Sequence, residues 1–293
     1  MTAEVLEALH IDNQAKYIDA TLGSGGHSLE IIKKGGIVLG IDEDPEILKI
    51  ALNRMEEACP VLNLRIEDRF KGVLGNFKDI DRIAQSNGFS RVSGILFDLG
   101  VNNLQLTSGQ RGFSFSNSDA PLDMRINQSI QAVKAADLLN VLSEKHLIKL
   151  FAVTLSLNYA RRLAKKVVER RQIKPFETVG DLILIADPVS NKRHLHPATL
   201  PLLALRIAVN SELDNLEEAI KKGFDLLKPG GKLVVISFHS KEDEIVKTFF
   251  KGKEKEGNEV LYKEPLTPSD NEIMDNPRSR SARLRVLIKK YDS

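Results

Sequence analysis

A glycine-rich segment near the start of the chain, residues 19–27 (DATLGSGGH), has the composition of a ligand-binding turn. Glycine lets the backbone turn sharply and approach a ligand closely. The segment lies between a predicted strand, 16–22, and a helical stretch, 29–34, the place where doubly wound folds bind nucleotides. The spacing lacks the third glycine of the dinucleotide fingerprint and the Lys-Ser/Thr pair of a phosphate loop. The segment is therefore either a different kind of nucleotide site or a plain strand-to-helix turn.

An acidic residue, Asp42, ends the second predicted strand, 36–42 (GIVLGID). An acid about twenty residues after the glycine turn is placed to bind ribose hydroxyls. Ribose occurs in NAD and in S-adenosylmethionine, and a glycine turn without the dinucleotide fingerprint favours the methyl donor. The alternative role, a cap for the helix that begins at Pro45, fits Asp44 better than Asp42.

A second acid, Asp98, follows the apolar residues of the predicted strand 92–99 (VSGILFDL). A carboxylate there either faces a ligand or is buried unpaired, and the latter is costly. In methyltransferases that modify an exocyclic amine, an acid at this place accepts a hydrogen bond from the amine and localises its lone pair. Such catalysis depends mainly on positioning and electrostatics. Asp98 is therefore the predicted amine acceptor.

A stacking ring for a nucleobase is the next requirement of amine methylation. Amino-methyltransferases of DNA usually carry Pro-Pro and an aromatic residue after the acid, and the ring stacks on the flipped base. Here the acid is followed by Leu-Gly-Val, so the ring must come from elsewhere, and Phe113 and Phe115 (111–115, RGFSF) are the nearest candidates. The alternative is a short strand with an apolar face.

The net charge of +2, from 42 basic and 40 acidic residues, does not by itself require a nucleic acid. Two basic clusters do favour a polyanion over two solvated faces: 161–174 (RRLAKKVVERRQIK) and 278–290 (RSRSARLRVLIKK). The candidate RNA-contacting residues are Arg161, Arg162, Lys165, Lys166, Arg278 and Arg280. A single cysteine excludes an internal disulfide and a cysteine-rich zinc site, and no apolar run is long enough to span a membrane. We therefore expect a cytoplasmic protein without a metal.

Strand and helix patterns alternate over the first third of the chain, which predicts an α/β fold with a parallel sheet. Residues 100–120 are predicted as a loop, and 131–225 as helical throughout, with one helix over 138–150. The α/β pattern resumes with a turn at 228–231 and a strand at 232–238, and 251–258 is predicted as a charged loop. The prediction is a Rossmann-like doubly wound domain, 1–104 and 206–293, with an inserted all-helical domain, 105–205.

Taken together, these motifs resemble the bacterial RsmH (MraW) family of ribosomal RNA small-subunit methyltransferases. The matching strings run in order along nearly the whole chain: DATLGSGGHS (19–28), GIDEDP (40–45), GNF (75–77), GILFDLGV (94–101), QRGFSF (110–115), PLDMR (121–125), HPAT (196–199), ALRIAVNSEL (204–213), KPGGKLVVISFHSKED (228–243) and NPRSRSARLR (276–285). The resemblance implies a Rossmann-like methyltransferase with a helical insert that recognises RNA. It also implies transfer of a methyl group from S-adenosylmethionine to the N4 amine of a cytidine in the decoding region of 16S ribosomal RNA.

Carried over position by position, the resemblance implies a set of donor-binding residues: Gly25, Gly26, His27, Asp42, Phe77, Asp98 and Gln105. The glycines would meet the methionine part of the donor, Asp42 the ribose hydroxyls and Phe77 the adenine. Gln105 would add a hydrogen bond from the loop after the fourth strand. The implied partner is 16S ribosomal RNA within the small ribosomal subunit, and the sequence leaves open whether the protein forms a homodimer.

Two other functions stay open at this point. A DNA amino-methyltransferase on the same fold is one, although the Pro-Pro-aromatic string is missing. A ribosome-assembly factor that keeps a donor pocket without turnover is the other, because 102–104 and 155–158 depart from the family pattern. Methyl transfer to small ribosomal subunits, with duplex DNA as a competitor, separates the three.

Overall fold

A computed structural model describes residues 1–107, 109–187 and 195–291 of the chain. Within these ranges one seven-stranded sheet has the order β3-β2-β1-β4-β5-β7-β6. The strands are β1 (Lys16–Asp19), β2 (Ile37–Asp42), β3 (Phe70–Leu74), β4 (Val92–Asp98), β5 (Leu227–Ser237), β6 (Glu259–Val260) and β7 (Arg283–Ile288). Strands β1 to β5 pair in parallel, whereas β7 is antiparallel to β5 and β6. The order 3-2-1-4-5 is that of the Rossmann type, so the predicted fold class is confirmed.

The helices fall into two sets. The first set accompanies the sheet: α1 (Thr2–Leu9), α2 (Gly26–Lys33), α3 (Pro45–Val61), α4 (Ile66–Arg69), α5 (Ile80–Ser86), α12 (Glu212–Leu226), α13 (Ser240–Lys255) and α14 (Asp270–Asp275). The second set lies between β4 and α12: α6 (Asn103–Thr107), α7 (Ala135–Val141), α8 (Glu144–Phe151), α9 (Leu157–Arg171), α10 (Val179–Ile183) and α11 (Thr199–Asn210). Two 3-10 helices span Phe77–Asp79 and Pro277–Ser281. Among the described helices, none combines the length and the apolar character needed to cross a membrane.

Strand β4 shows why the sheet is covered on both faces. Its residues are buried at every position before Asp98. Successive side chains of a strand point to opposite faces, and accordingly Ile95 and Phe97 pack into one buried cluster while Leu96 packs into another. A strand that is apolar on both faces belongs in the middle of a parallel sheet. Asp98, at its carboxyl end, is the first residue of the strand that is partly exposed.

The chain divides into two compact units. Met1–Gly100 together with Leu213–Ser293 form the unit that carries the sheet, called the sheet unit below. Val101–Glu212 form the other, called the helical unit. The helical unit has its own core, in which Phe151, Leu163 and Phe176 are almost fully buried. The domain limits predicted from the sequence, with an insert over 105–205, and the RNA-recognition role of that insert remain predictions.

Several predicted elements need correction. The single helix predicted over 138–150 is two helices, because Ser143 accepts a hydrogen bond from the His146 N–H and starts α8. The predicted loop at 100–120 contains α6, and the predicted loop at 251–258 is helical as far as Lys255. The turn predicted at 228–231 lies inside β5, which begins at Leu227 with an irregular register against β4.

Candidate active site

The glycine-rich turn joins β1 to α2 and is shaped by two residues in the left-handed region. Gly23 has a φ of 55° and Gly25 a φ of 79°, and the Gly25 N–H closes the turn by donating to the Leu22 carbonyl at 2.9 Å. A Cβ on Gly25 would lie only 2.7 Å from the Cε of Met55 on α3. The left-handed backbone conformation therefore favours glycine at position 25, and a side chain there would displace the end of Met55.

Asp42 ties the end of β2 to this turn. Its Oδ2 accepts the Gly23 N–H at 2.8 Å, and its Oδ1 accepts the Asp44 N–H at 2.9 Å. Burial raises the pKa of Asp42 to about 7, although the two N–H donors act in the opposite direction. Each carboxylate oxygen has a second lone pair, so Asp42 can still accept hydrogen bonds from hydroxyl groups.

The helix cap is Asp44 rather than Asp42. Asp44 is the N-cap of α3, and its Oδ1 accepts the Glu46 N–H at 3.0 Å. The prediction that the capping role fits Asp44 is therefore confirmed. Asp42 does not cap the helix; its two hydrogen bonds join β2 to the glycine-rich turn and to the residue before α3, and ligand binding stays its predicted role.

Asp98 lies at the carboxyl end of β4 and faces His27. Its N–H donates to the Thr21 Oγ1 at 2.6 Å, which joins the strand end to the glycine-rich turn. Its Oδ2 is 3.4 Å from the His27 Nε2, and its side chain is 32% exposed. Its Oδ1 is buried and has no hydrogen-bond partner among the described residues. One oxygen of a partly open carboxylate is thus held in place with nothing to accept from.

His27 and Asp19 complete a cluster of three titratable side chains at this end of the sheet. Asp19 ends β1, is fully buried, and accepts a hydrogen bond from the Ser28 Oγ at 2.7 Å. Burial raises the pKa of Asp19, and the neighbouring His27 opposes that rise. Burial alone would lower the pKa of His27, but the Asp98 hydrogen bond and the charges of both carboxylates raise it above its usual value. The two acids therefore favour a protonated His27.

The ring of Phe77 lies next to the strand that carries Asp98. It meets Phe97 of β4 edge to face, with centroids 5.9 Å apart and planes at 88°. Phe77 begins a 3-10 helix whose N-cap is Asn76, which accepts the Lys78 N–H at 2.9 Å. The ring is only partly buried, so part of its surface remains open as an apolar face.

Gln105 belongs to the helical unit, unlike the other predicted donor-binding residues. It lies on α6 with a nearly buried side chain, and its Oε1 accepts the Asn102 N–H at 2.7 Å. The structure thus brings Gly25, His27, Asp42 and Asp98 together within the sheet unit. For Gln105 it shows a local role at the start of its own helix.

The two predicted stacking rings have different surroundings. Phe113 is 7% exposed and packs in the core of the helical unit, although residues 111–115 do not form the short strand of the alternative prediction. Phe115 is 40% exposed and stacks on His196, with centroids 4.2 Å apart and planes at 9°. Phe115 is therefore the ring with a surface available to a ligand.

The basic candidates lie on two separate elements. Arg161, Arg162, Lys165 and Lys166 are on α9 of the helical unit, and Arg278 and Arg280 are exposed on the 3-10 helix Pro277–Ser281. Lys166 is paired with Asp187 at 2.6 Å, and Lys165 is 3.8 Å from Glu169. The α9 cluster is thus a partly neutralised cationic face, on which the two arginines are exposed.

The sequence analysis did not predict three residues that help to position the side chains of the site. Asp19 gave the same signal as Asp98, an acid at the end of a buried strand, but was considered only as the start of the glycine motif. Ser28 bonds Asp19, and Thr21 receives the Asp98 N–H. Those two contacts join residues of different elements, and no local pattern of types or spacing reveals them.

A glycine turn after β1 and an acid at the end of β2, on a Rossmann-type sheet, form a nucleotide-binding arrangement, and the family match makes the protein a methyltransferase that uses S-adenosylmethionine as methyl donor. Residues 1–290 match the profile of the MraW methylase family, and the chain belongs to that family.

Curated relatives named ribosomal RNA small subunit methyltransferase H match the chain over almost its full length. The protein of Coprothermobacter proteolyticus is 44% identical over 293 residues, which covers 99% of this chain and 94% of the relative. That of a Sulfurihydrogenibium species is 41% identical and covers 97% of this chain and 95% of the relative. Among solved structures, an rRNA methylase from Streptococcus thermophilus covers 99% of this chain and 93% of its own at 11% identity and a TM-score of 0.47, too low to extend the assignment.

Proposed function

We propose that this protein transfers a methyl group from S-adenosylmethionine to the exocyclic N4 amine of a cytidine in the decoding region of 16S ribosomal RNA. The observation that carries the proposal is the partly exposed carboxylate of Asp98, fixed at the end of β4 beside the glycine-rich turn. Its Oδ1 is buried, so Oδ2, which lies 3.4 Å from the His27 Nε2, is the oxygen proposed to accept an amine N–H. The names of the relatives support ribosomal RNA of the small subunit as the substrate.

The residues of the sheet unit fit the methyl donor. Asp42 has lone pairs left for two ribose hydroxyls, and the glycine turn next to it exposes backbone that can approach the methionine part. Phe77 offers an apolar face for adenine, and His27, which its neighbours favour as a cation, suits a carboxylate. When bound, S-adenosylmethionine supplies an electrophilic methyl group on a positively charged sulfur.

Asp98 performs the positioning step. The lone pair of a cytosine amine is delocalised into the ring, so the amine is a weak nucleophile. By accepting one amine N–H, the Asp98 carboxylate localises that lone pair and fixes its direction. The nitrogen then forms its bond to the methyl carbon as the carbon–sulfur bond breaks, and the proton that the nitrogen must lose passes to Asp98 or to water.

RNA contacts are proposed for Phe115 and for the basic faces. Arg161, Arg162, Lys165 and Lys166 on α9 would contact phosphates, as would Arg278 and Arg280. Gln105 stays a proposed donor-binding residue. The substrate would be RNA within the small ribosomal subunit, which places the reaction in the cytoplasm.

The test is the chemical identity of the methylated nucleoside. Small subunits from a strain lacking this protein are incubated with the enzyme and isotopically labelled donor, and the RNA nucleosides are analysed by mass spectrometry. We expect label in N4-methylcytidine at one position of 16S RNA, and labelling at least ~100-fold slower with Asp98→Ala. Label on another atom, preference for competing duplex DNA, or donor binding without transfer would each contradict the proposal, the last in favour of an assembly factor.

A further inference from the structure

The stacked pair of Phe115 and His196 is a second feature of the helical unit that suits a nucleic-acid ligand. The two rings are parallel within 9° with their centroids 4.2 Å apart, a full stack of two different side chains. Phe115 is 40% exposed and His196 is partly buried. A large ring that folding leaves open while a second ring supports one of its faces has the form of a stacking platform.

The backbone before Phe115 is held firmly to the helical unit. Gly112 has a φ of 72°, and a Cβ there would lie 2.4 Å from the Pro121 carbonyl oxygen. Arg111 donates to the Ile126 carbonyl at 2.9 Å, and Phe113 is buried in the core. Phe115 is therefore presented from an anchored segment, so little conformational entropy is lost when it binds.

The His196 ring is fixed by its own backbone contacts. Its Nδ1 accepts the Ala198 N–H at 3.2 Å, and its carbonyl accepts the Thr199 N–H at 3.0 Å where α11 begins. Since Nδ1 acts as an acceptor, the neutral ring carries its proton on Nε2. His196 thus supports Phe115 and supplies an N–H donor at the edge of the platform.

We propose that Phe115 and His196 form the binding site for one unpaired base of the RNA substrate. The base stacks on the open face of Phe115, and the His196 Nε2–H donates to an acceptor oxygen of the same nucleotide. The proposal rests on the proposed function, because it takes RNA as the ligand. It adds His196 as a binding residue and an unpaired, stacked nucleotide as the feature recognised.

The absence of tryptophan from the sequence makes a direct test available. Phe115→Trp introduces a single indole on the platform, whose fluorescence a stacked base quenches. Val141→Trp is the matched control, because Val141 is an exposed apolar residue of the same unit at 79% exposure with no proposed role. The probe is a synthetic RNA of the decoding-region sequence, together with a series in which one nucleotide at a time is abasic.

We expect quenching in Phe115→Trp but not in Val141→Trp, and loss of that quenching with one particular abasic RNA. Phe115→Ala should weaken binding of the intact RNA about 5- to 100-fold, the scale of one lost base stack, with an unchanged salt dependence. Phe115→Tyr, which keeps an aromatic ring at this position, should bind the intact RNA with nearly wild-type affinity. His196→Ala should lower the affinity as well, and His196→Gln, which keeps a donor, should lose less.

Methylation by the wild-type protein distinguishes a failure of the stacking platform from a failure of the proposed function. If this protein methylates the cytidine amine while Phe115→Trp binds RNA without quenching, or all abasic RNAs quench alike, the platform is wrong and the proposed function stands. If the wild-type protein methylates neither the synthetic RNA nor isolated small ribosomal subunits, both are wrong. Wild-type affinity in both Phe115→Ala and His196→Ala would overturn the platform by itself.

Discussion

The two units of the molecule treat their buried polar groups differently. Among the described residues, every buried side-chain polar atom that lacks a hydrogen-bond partner lies in the sheet unit, and Asp19, His27 and Asp98 contribute three of them. In the helical unit the buried acids are paired: Asp123 with Arg125 at 2.7 Å and Asp181 with Arg170 at 3.0 Å.

The raised pKa values are confined to part of the sheet unit. Burial raises the pKa of Asp19 and Asp42 near the glycine-rich turn, whereas Arg285 holds the pKa of Asp243, a buried acid of the same unit, below its usual value. Burial acts in the same direction on Asp123 and Asp181, but Arg125 and the backbone N–H groups around Thr178, respectively, hold the pKa of each acid below its usual value. Unsatisfied buried groups cost stability and persist where a ligand uses them. The unpaired acids thus mark the end of the sheet that carries Asp98 as a place for a ligand, whereas RNA recognition by the helical unit stays a prediction.

The largest expected effect is on catalysis at Asp98. We predict that Asp98→Ala lowers the rate of methyl transfer by at least ~100-fold, the scale of one positioned electrostatic group. The melting temperature should change little, since the removed carboxylate has an unsatisfied oxygen. Single-turnover transfer at saturating donor measures the effect.

Asp98→Asn sharpens that result. It should retain more activity than Asp98→Ala if hydrogen-bond acceptance is the role, and no more if the negative charge is essential. A wild-type rate in Asp98→Ala would make Asp98 structural and remove the main difference between the units.

Donor binding should depend on Asp42. Asp42→Ala should weaken S-adenosylmethionine binding by roughly 1–3 kcal/mol, because two hydroxyls lose a charged acceptor. Asp42→Asn should lose less, since the amide oxygen still accepts. Calorimetry checks both variants, and an unchanged dissociation constant in Asp42→Ala would exclude Asp42 from the site.

The pH dependence of donor binding should report the same residue. With a pKa of about 7 in the ligand-free protein, Asp42 is mainly ionised at pH 8 and mainly protonated at pH 6. Only the ionised form accepts from both hydroxyls with full strength, so affinity should fall up to about tenfold as the pH drops over this range. Asp42→Asn should remove most of this dependence; if the dependence survives there, His27 or the donor's own amine causes it.

The smallest expected effect is on the basic face of α9. Neutralising Arg161, Arg162, Lys165 and Lys166 together should lower RNA affinity and flatten its salt dependence. Each lost phosphate contact should reduce the slope of log K against log salt concentration by about 0.7, the value for single strands. The two lysines have acidic neighbours, so the arginines should account for most of the change. An unaltered salt slope in filter-binding titrations would make α9 a merely solvated face.

The sequence predicted the parts of this structure that depend on local patterns. Apolar strands that end in acids placed Asp42 and Asp98 at the carboxyl edge of a parallel sheet, and the spacing to Pro45 identified Asp44 as the cap. Contacts between distant elements, such as the hydrogen bond from the Asp98 N–H to Thr21, cannot be predicted from local patterns.

Phe113 and Phe115 show the same limit of prediction from local sequence patterns. Two phenylalanines two residues apart suggest one shared apolar face, yet one is buried and the other is exposed. Packing against the rest of the helical unit decides between them, and that information lies outside the RGFSF string. The break between α7 and α8 was also missed, although Ser143 is a standard cap signal.

The account assigns donor binding to the sheet unit and RNA binding to the helical unit. This assignment is tested most directly by parallel titrations of two variants with both ligands. Asp42→Ala and the fourfold α9 variant are each titrated with S-adenosylmethionine and with decoding-region RNA, and the Kd values are compared with those of the unaltered protein. The account predicts that Asp42→Ala weakens only donor binding and that the α9 variant weakens only RNA binding. Loss of donor affinity in the α9 variant with its fold intact, or unchanged donor affinity in Asp42→Ala, would contradict it.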